Sequence, residues 1–400
     1  MKQRNRIFYL GMITTDAYAR VVGEHIYSGA AARKMMLVAR ALRSVGRRVI
    51  VVSLPFVGTG AKRAFYGPVL TPDGGVPTIF LATLRSKVLR KIVGPYVLAV
   101  FFLRRSVPGD TVIFYNHAIE YIPTLLLLRL RGLNLVQDIE DAPMDDEKGI
   151  RGVLNRISFA ITLRLTNPRK MLVADHVAKG LKLDDYVVIR GVASQETEAV
   201  HVSDTRKWDD LRNDGDLKLH FGGTLISDTG VDLFCKAVEL LARNEDRLDR
   251  RVVFKVTGVG ELNKVRKLQK EIKKSKKVHL DLLPELSKAD YLALIDSCHG
   301  SLSLRRPGSS MSNTTFPSKV IEITASGLAL ISTRVGDVPS LYGDDAAYFL
   351  SEFAPEDLVD IFIGMVADPG RLEHVAAAGR DASNRIFSPR SVGEEMTRLL

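Results

Sequence analysis

Between Arg305 and Val338 the chain reads RRPGSSMSNTTFPSKVIEITASGLALISTRVGDV, and this stretch holds the side chains best suited to chemistry. Ser, Thr and Asn crowd a loop that runs into Phe316-Pro317-Ser318-Lys319. A helical stretch carrying Glu322 follows, then Gly327 and the strand-like Ala329-Leu330-Ile331-Ser332. Pro317 suits the first helical turn, and Gly327 suits the position just past the helix end. The first turn would then aim free backbone N–H groups at the polar loop, where an anion could sit. Lys319 and Glu322, three apart, share a helix face. A cation beside a hydrogen-bond acceptor suits a diphosphate next to a ribose, although the same pair would also serve as a plain exposed ion pair.

Other candidates sit where strands end. His220-Phe221-Gly222-Gly223-Thr224 closes a strand and Gly230-Val231-Asp232 follows shortly; glycines let a backbone approach phosphate closely, or simply make a tight turn. Thr257-Gly258-Val259-Gly260 ends the next strand as a short G-x-G turn. In the first half, Tyr115-Asn116-His117 and Asp138-Ile139-Glu140-Asp141 each follow an apolar strand, the end at which α/β sheets bind ligands. His117 reads either as a structural histidine or as a group near the reaction. Asp141 reads as a general base or acceptor ligand, or as a helix N-cap.

The elements that must position these residues alternate between short apolar strands and helical spacing. Ile7–Leu10, Arg48–Leu54, Thr111–Tyr115, Leu133–Val136, Met171–Val173 and Val187–Ile189 are strand-like, with helices expected over Gly29–Val45 and Ile122–Leu130. Residues 191–216 are polar and acidic. The alternation then restarts at Leu217–Phe221 and Val252–Val256, each strand expected to stop at its glycines. Two doubly wound α/β parallel sheets in tandem follow. The expected divisions are 1–195 for the first Rossmann-like domain, 196–215 for a linker and 216–385 for the second domain. A C-terminal helix, 386–400, is expected to pack back on the first domain.

Composition narrows the class. The 400 residues are 46% hydrophobic and 26% charged, values of a globular protein. Two cysteines, Cys235 and Cys298, exclude a disulfide framework and suit a reducing cytoplasm; both are expected buried and inert. No Cys or His spacing of a metal site is present, so no metal and no cofactor is expected. The net charge is +11, of which residues 1–100 hold +13. Such an excess implies a polyanionic partner. Leu84–Arg105 interleaves apolar residues with six basic ones, Arg85, Lys87, Arg90, Lys91, Arg104 and Arg105, and no acidic residue. An interfacial helix on an anionic membrane surface is expected there, with Arg85, Lys87, Arg90 and Lys91 as membrane contacts; a core helix with basic ends is the other reading. Nucleic acid is an unlikely partner, since no recognition motif or aromatic platform accompanies the charge.

The run FPSKVIEITASGLALIST resembles the donor-nucleotide segment of GT-B glycosyltransferases, specifically the glycosyltransferase family 4-like group of bacterial polysaccharide and lipid-linked glycan type. That resemblance implies two Rossmann-like domains facing a cleft. It implies a nucleotide-sugar donor of unknown base, with Glu322 on the ribose hydroxyls and Gly223, Thr224, Gly258, Gly260, Arg305, Thr314, Thr315 and Lys319 around the donor. His117 matches a histidine that the family places near the reacting sugar. Asp141 falls in an acidic motif of polysaccharide-assembling relatives, and Gly11 and Gly29 fall on loops facing the cleft. The sequence also departs from the family. Thr224 and Thr229 stand where members carry an Arg and a Lys, and Thr314 stands where the first of two glutamates eight apart is usual. Arg305, Arg306 or Lys319 would have to supply the missing charge. The activity expected is retaining, metal-independent sugar transfer to a lipid-linked or growing glycan acceptor, by a protein peripheral on the inner face of the cytoplasmic membrane. A degenerate GT-B subunit that binds without catalysis, and a nucleotide-sugar epimerase of the same fold, are the alternatives.

Overall fold

The computed structural model describes residues 5–24, 29–57, 62–140, 143, 149–194, 206–309, 312 and 316–400. The chain forms two compact units, one of residues 1–192 with 388–400 and one of residues 193–387.

In the first unit an eight-stranded sheet is built from β1 (Arg6–Gly11), β2 (Arg48–Ser53), β4 (Val69–Asp73), β5 (Val76–Phe80), β7 (Thr111–Tyr115), β8 (Asn134–Ile139), β9 (Lys170–Leu172) and β10 (Tyr186–Val188); β3 (Phe65–Tyr66) and β6 (Thr83–Leu84) pair separately. The spatial order is β10-β9-β8-β7-β1-β2-β5-β4, parallel except for β4 against β5. Alternation along β1 shows why the sheet is covered on both faces. Ile7 and Tyr9 enter one core with helix α2 (Ala30–Ser44), while Phe8 and Leu10 enter another with α3 (Lys87–Arg105) and α4 (Ile122–Leu130). α1 (Asp16–Val22) is capped by Thr15, whose hydroxyl accepts from the Tyr18 N–H. α5 (Gly149–Leu165) packs beside α4, and α6 (Asp175–Leu181) precedes β10.

The last helix, Pro389–Met396, lies on α2 within the same unit, with Val392 and Met396 in its core. Gly393 permits the approach: a Cβ there would stand 2.2 Å from the Ala41 carbonyl oxygen.

The second unit holds six parallel strands, β11 (Leu217–Leu225), β12 (Val252–Gly260), β13 (Val278–Leu282), β14 (Gly300–Ser303), β15 (Ala329–Ser332) and β16 (Tyr348–Phe349), in the order β13-β12-β11-β14-β15-β16. Its helices include α7 (Arg206–Arg212), α8 (Val231–Arg243), α9 (Leu262–Glu271), α10 (Lys288–Asp296) and α11 (Lys319–Ala325). Residues 206–212, expected within the linker, form α7 instead. Trp208 and Leu211 are buried in the core of this unit, which apolar side chains at helical spacing favour over a solvated connection. Cys298 is buried and Cys235 half-buried, and burial pushes their thiols up to about 11 and about 12.

One expectation about α3 needs correction. Arg90 is 5% exposed, stacked 4.3 Å from the Phe56 ring, so it is no surface contact. Burial lowers its pKa and Glu120 opposes that fall. Arg85, Lys87 and Lys91 are exposed, as a surface role requires. The apolar residues are on the outside: Val88, Ile92 and Tyr96 are 68%, 57% and 71% exposed.

Candidate functional site

In each unit the strand order reverses at its first strand, between β7 and β1 and between β11 and β14. Crossovers leave such a point in opposite directions, so loops at the carboxyl ends of these strands diverge and leave room for a ligand. The sequence candidates cluster at these ends.

In the second unit, β11 and β12 continue as a paired ladder past their expected ends, through Leu225 and Gly260. The glycines lie within the strands because the two backbones approach too closely for side chains. Gly223 pairs with Gly258, and a Cβ on Gly258 would stand 1.9 Å from the Gly223 carbonyl oxygen. Gly223, Gly258 and Gly260 have φ of +107°, +125° and +116°, which glycine adopts readily. Gly223, Thr224, Gly258 and Gly260 are all exposed. Thr229 is occupied in the turn: its hydroxyl accepts from the Ile226 N–H at 3.0 Å and donates to the Thr224 carbonyl at 2.6 Å.

Lys319 supplies the nearest cation. Its ammonium donates to the Gly222 carbonyl, and a Cβ on Gly223 would lie 3.3 Å from Nζ. Burial pushes the Lys319 amine down to about 8, opposed by Glu322 one turn along. Both side chains are half-buried. Arg305 follows β14 and is half-buried; its guanidinium donates to the Phe316 carbonyl at 3.4 Å, and burial lowers it to about 10. Arg306 is exposed and lies over the Phe353 ring, so of the three cations considered Lys319 stands at the glycines. Thr314 and Thr315 lie outside the described residues.

The expected row of free N–H groups at the start of α11 is largely absent. Pro317 precedes the helix, and the N–H groups of Ser318, Val320 and Ile321 bond to Phe316, Pro317 and Ser318 in tight turns. The group at this end able to meet an anion is therefore the Lys319 side chain rather than a row of backbone N–H groups. The other end closes as expected: Gly327, φ +62°, donates to Thr324 and Leu328 donates to Ile323.

His220 was not singled out for itself in the sequence, and it organises the site. It is fully buried on the opposite face of β11 from Leu219 and Phe221. Nδ1 meets Ser301 Oγ and Nε2 meets Thr257 Oγ1, both at 2.9 Å, tying β11 to its two neighbours. Burial and the adjacent Lys319 lower its pKa to about 3, so it is neutral. A Cβ on Gly222 would stand 2.4 Å from Thr257 Oγ1, so Gly222 is required where this network passes. A polar residue at an inward strand position, just before two glycines, was the available signal.

In the first unit, Gly11 ends β1 and His117 follows β7, flanking the reversal. A Cβ on Gly11 would stand 2.5 Å from the Met35 sulfur. Gly29 is the N-cap of α2. Asn116, φ +56°, receives an N–H bond from Glu140 at 2.8 Å and donates its own N–H to the Asp138 carbonyl at 2.7 Å. This strap orients His117, whose Nε2 meets Asn155 Oδ1 at 2.8 Å and whose ring sits edge-on to Phe159. Asp141 lies outside the described residues. Its neighbours form a charged cluster: buried Asp138 accepts from Tyr9 Oη at 2.5 Å, and Lys34 pairs with Glu140 and lies 3.7 Å from Asp138. Burial and the Asp138 charge raise the Tyr9 hydroxyl well above its ordinary value.

This architecture is the GT-B fold. The chain is similar to a glycosyltransferase from Rickettsia africae ESF-5, at 14% identity and TM-score 0.67, covering 99% of this chain and 98% of that one. It is similar to a sucrose-phosphate synthase from Thermosynechococcus elongatus, at 12% identity, TM-score 0.67 and 99% and 98% coverage. A third is the HepE protein of Anabaena in complex with UDP and glucose, at 11% identity, TM-score 0.63 and 98% coverage of both chains. No curated protein sequence matches the chain. Residues 202–382, within the second unit, match the family described as Glycosyl transferases group 1.

Proposed function

We propose that the chain transfers a sugar from a nucleotide-sugar, bound by the second unit, to an acceptor hydroxyl. The observation that carries this reading is Lys319, a half-buried ammonium held against Gly222 and Gly223 of β11 at the strand-order reversal, with Glu322 one helical turn on. Lys319 and Arg305 would offset the charge on the departing nucleoside diphosphate while Glu322 accepts from the ribose hydroxyls. The acceptor oxygen bonds to the anomeric carbon, the bond from that carbon to phosphate oxygen breaks with its electron pair, and the acceptor proton leaves to a base. Solved relatives of the same fold bind UDP in the Anabaena protein and ADP in a starch synthase from Arabidopsis, which supports a nucleoside diphosphate here.

His117, fixed by Asn155, is proposed on the acceptor side, together with Asp141. A lipid-linked or growing glycan is the proposed acceptor, the inner face of the cytoplasmic membrane the proposed location, and retention of anomeric configuration the proposed outcome.

Calorimetric titration with UDP, GDP, ADP and dTDP, beside a Glu322→Ala control, tests the reading. Saturable binding of one nucleotide, weakened by roughly tenfold or more in the control, is expected for loss of a charge-assisted hydrogen bond. Failure of every nucleotide to bind the folded protein would overturn it and leave a GT-B subunit without transferase activity.

A further inference from the structure

One apolar face of α3 points away from the protein. Arg90, Gly94, Leu98 and Phe102 face inward, and Gly94 brings the helix close: a Cβ there would stand 2.6 Å from Leu54 Cδ2. Val88, Ile92, Tyr96 and Leu103 run along the outer side at four- and seven-residue spacing and are 50–71% exposed. A surface helix of a soluble domain normally shows the reverse. α3 packs on α4, and α4 on α5, so the three helices make one layer over the same face of the sheet. The neighbours continue the pattern. Leu130 on α4 is 88% exposed, and Ile150 and Ile157 on α5 are 81% and 49% exposed.

Charge identifies what covers this layer. α3, α4 and α5 together contain nine Lys or Arg residues and no Asp or Glu. Lys87, Lys91, Arg104 and Arg105 are exposed at the two ends of α3. Of the described acids near this layer, Asp110 and Glu120 are buried, Asp110 against Arg6 and Glu120 towards Arg90; Asp145, Asp146 and Glu147, just before α5, lie outside the described residues. A second copy is disfavoured, since a two-fold contact would set this all-basic surface against itself. Among the described residues no helix is long and apolar enough to cross a membrane. An apolar ridge with basic ends is what an interfacial helix on anionic lipid requires.

We propose that the outer layer of α3, α4 and α5 docks on an anionic lipid bilayer. The α3 ridge and Leu130 enter the boundary between headgroups and acyl chains, and Lys87, Lys91, Arg104 and Arg105 meet the lipid phosphates. Arg90 takes no part, since it faces the protein. The inference concerns the first unit and does not depend on the donor reading.

Co-sedimentation of the full chain with phosphatidylcholine vesicles, with and without phosphatidylglycerol, tests it. Wild type is expected to bind the anionic vesicles at least roughly tenfold more tightly than neutral ones. The triple variant Ile92→Asn, Tyr96→Asn, Leu130→Asn should lose roughly tenfold or more, with an unchanged melting temperature because these side chains are exposed. Its residual binding should vanish in about 0.5 M salt, where exposed charges are screened. Neutralising Lys87, Lys91, Arg104 and Arg105 to Gln should remove the preference for anionic lipid. Undiminished binding by the triple variant would overturn the proposal. So would absence of vesicle binding together with a wild-type dimer that the triple variant converts to monomer, which would assign the face to a second copy. Nucleotide titration of the same samples reports the donor site separately.

Discussion

Lys319 should make nucleotide binding fall with pH in a range where most lysines do not titrate. Burial lowers its pKa to about 8, with Glu322 opposing part of the fall. The sign follows from the amine: it is charged below that value and neutral above it. A diphosphate binds the charged form, so above pH 8 binding must take up a proton. The free protein is then about nine-tenths charged at pH 7 and about one-tenth charged at pH 9. If the bound ammonium stays charged, affinity drops roughly tenfold between these values, ~1.4 kcal/mol. His220, lowered to about 3, and Arg305, lowered to about 10, lie outside this window. Calorimetry in two buffers of different ionisation enthalpy should show about one proton taken up at pH 9 and almost none at pH 7. Lys319→Met should bind more weakly at pH 7 and should lose this proton uptake, while retaining any titration that belongs to the nucleotide base. Parallel pH profiles for wild type and Lys319→Met would refute the assignment of this lysine to the phosphate.

Two further outcomes concern the frame around that lysine. His220 and His299 are buried, and burial lowers them to about 3 and about 4, so unfolding lets them take up protons below about pH 6.5. Stability contributed by each is intact above that pH and is lost progressively as pH falls towards the folded values. At pH 5 each should cost the second unit about 2 kcal/mol. Urea unfolding followed by Trp208, the chain's single tryptophan and buried in the second unit, should show the drop, and His220→Gln should remove about half of it; an identical drop in the variant would sink the argument. Gly258→Ala meets both a φ of +125° and the Gly223 carbonyl, whereas Gly308→Ala meets a φ of +74° in open space. The first should melt well below wild type and lose nucleotide binding, and the second should cost only about 1 kcal/mol, with equal melting shifts counting against the close ladder.

Much of this frame was legible in the sequence, because strand and helix periodicity is a local property. Short apolar runs ending in Gly or polar residues give the alternating elements, and Gly327 marks the end of α11 for the same local reason. What escaped depends on which elements become neighbours. Gly223 and Gly258 read as turns because nothing in either segment shows that the other lies against it; only the β11–β12 register turns two flexible residues into one close ladder. Arg90 read as a surface cation because basic residues usually snorkel, yet α3 is apolar on both sides and the sheet takes the side that carries the arginine and Phe102. The helix therefore buries a charge that stacks on Phe56 and leaves Ile92 and Tyr96 outside.

The same non-local logic bears on the threonines that replace expected cations. Thr229 is spent on the turn between β11 and α8, so a cation at that position would have to break two short hydrogen bonds of the turn. Lys319 reaches the Gly222 carbonyl from the far side of the strand-order reversal, across 97 residues of sequence. A positive charge thus stands beside the glycines, supplied from α11 rather than from the turn after β11. That lysine belongs to the same helix as Glu322, so displacing α11 would remove the proposed phosphate contact and the proposed ribose contact together. The site stands or falls with the docking of one seven-residue helix, whose buried Val320, Ile321 and Ile323 hold it in place. Truncating Ile323 to Ala, which touches neither proposed ligand contact, should therefore weaken nucleotide binding as well as stability; a loss of about 2–5 kcal/mol in stability with unchanged affinity would show that the lysine and glutamate are held by something other than this packing.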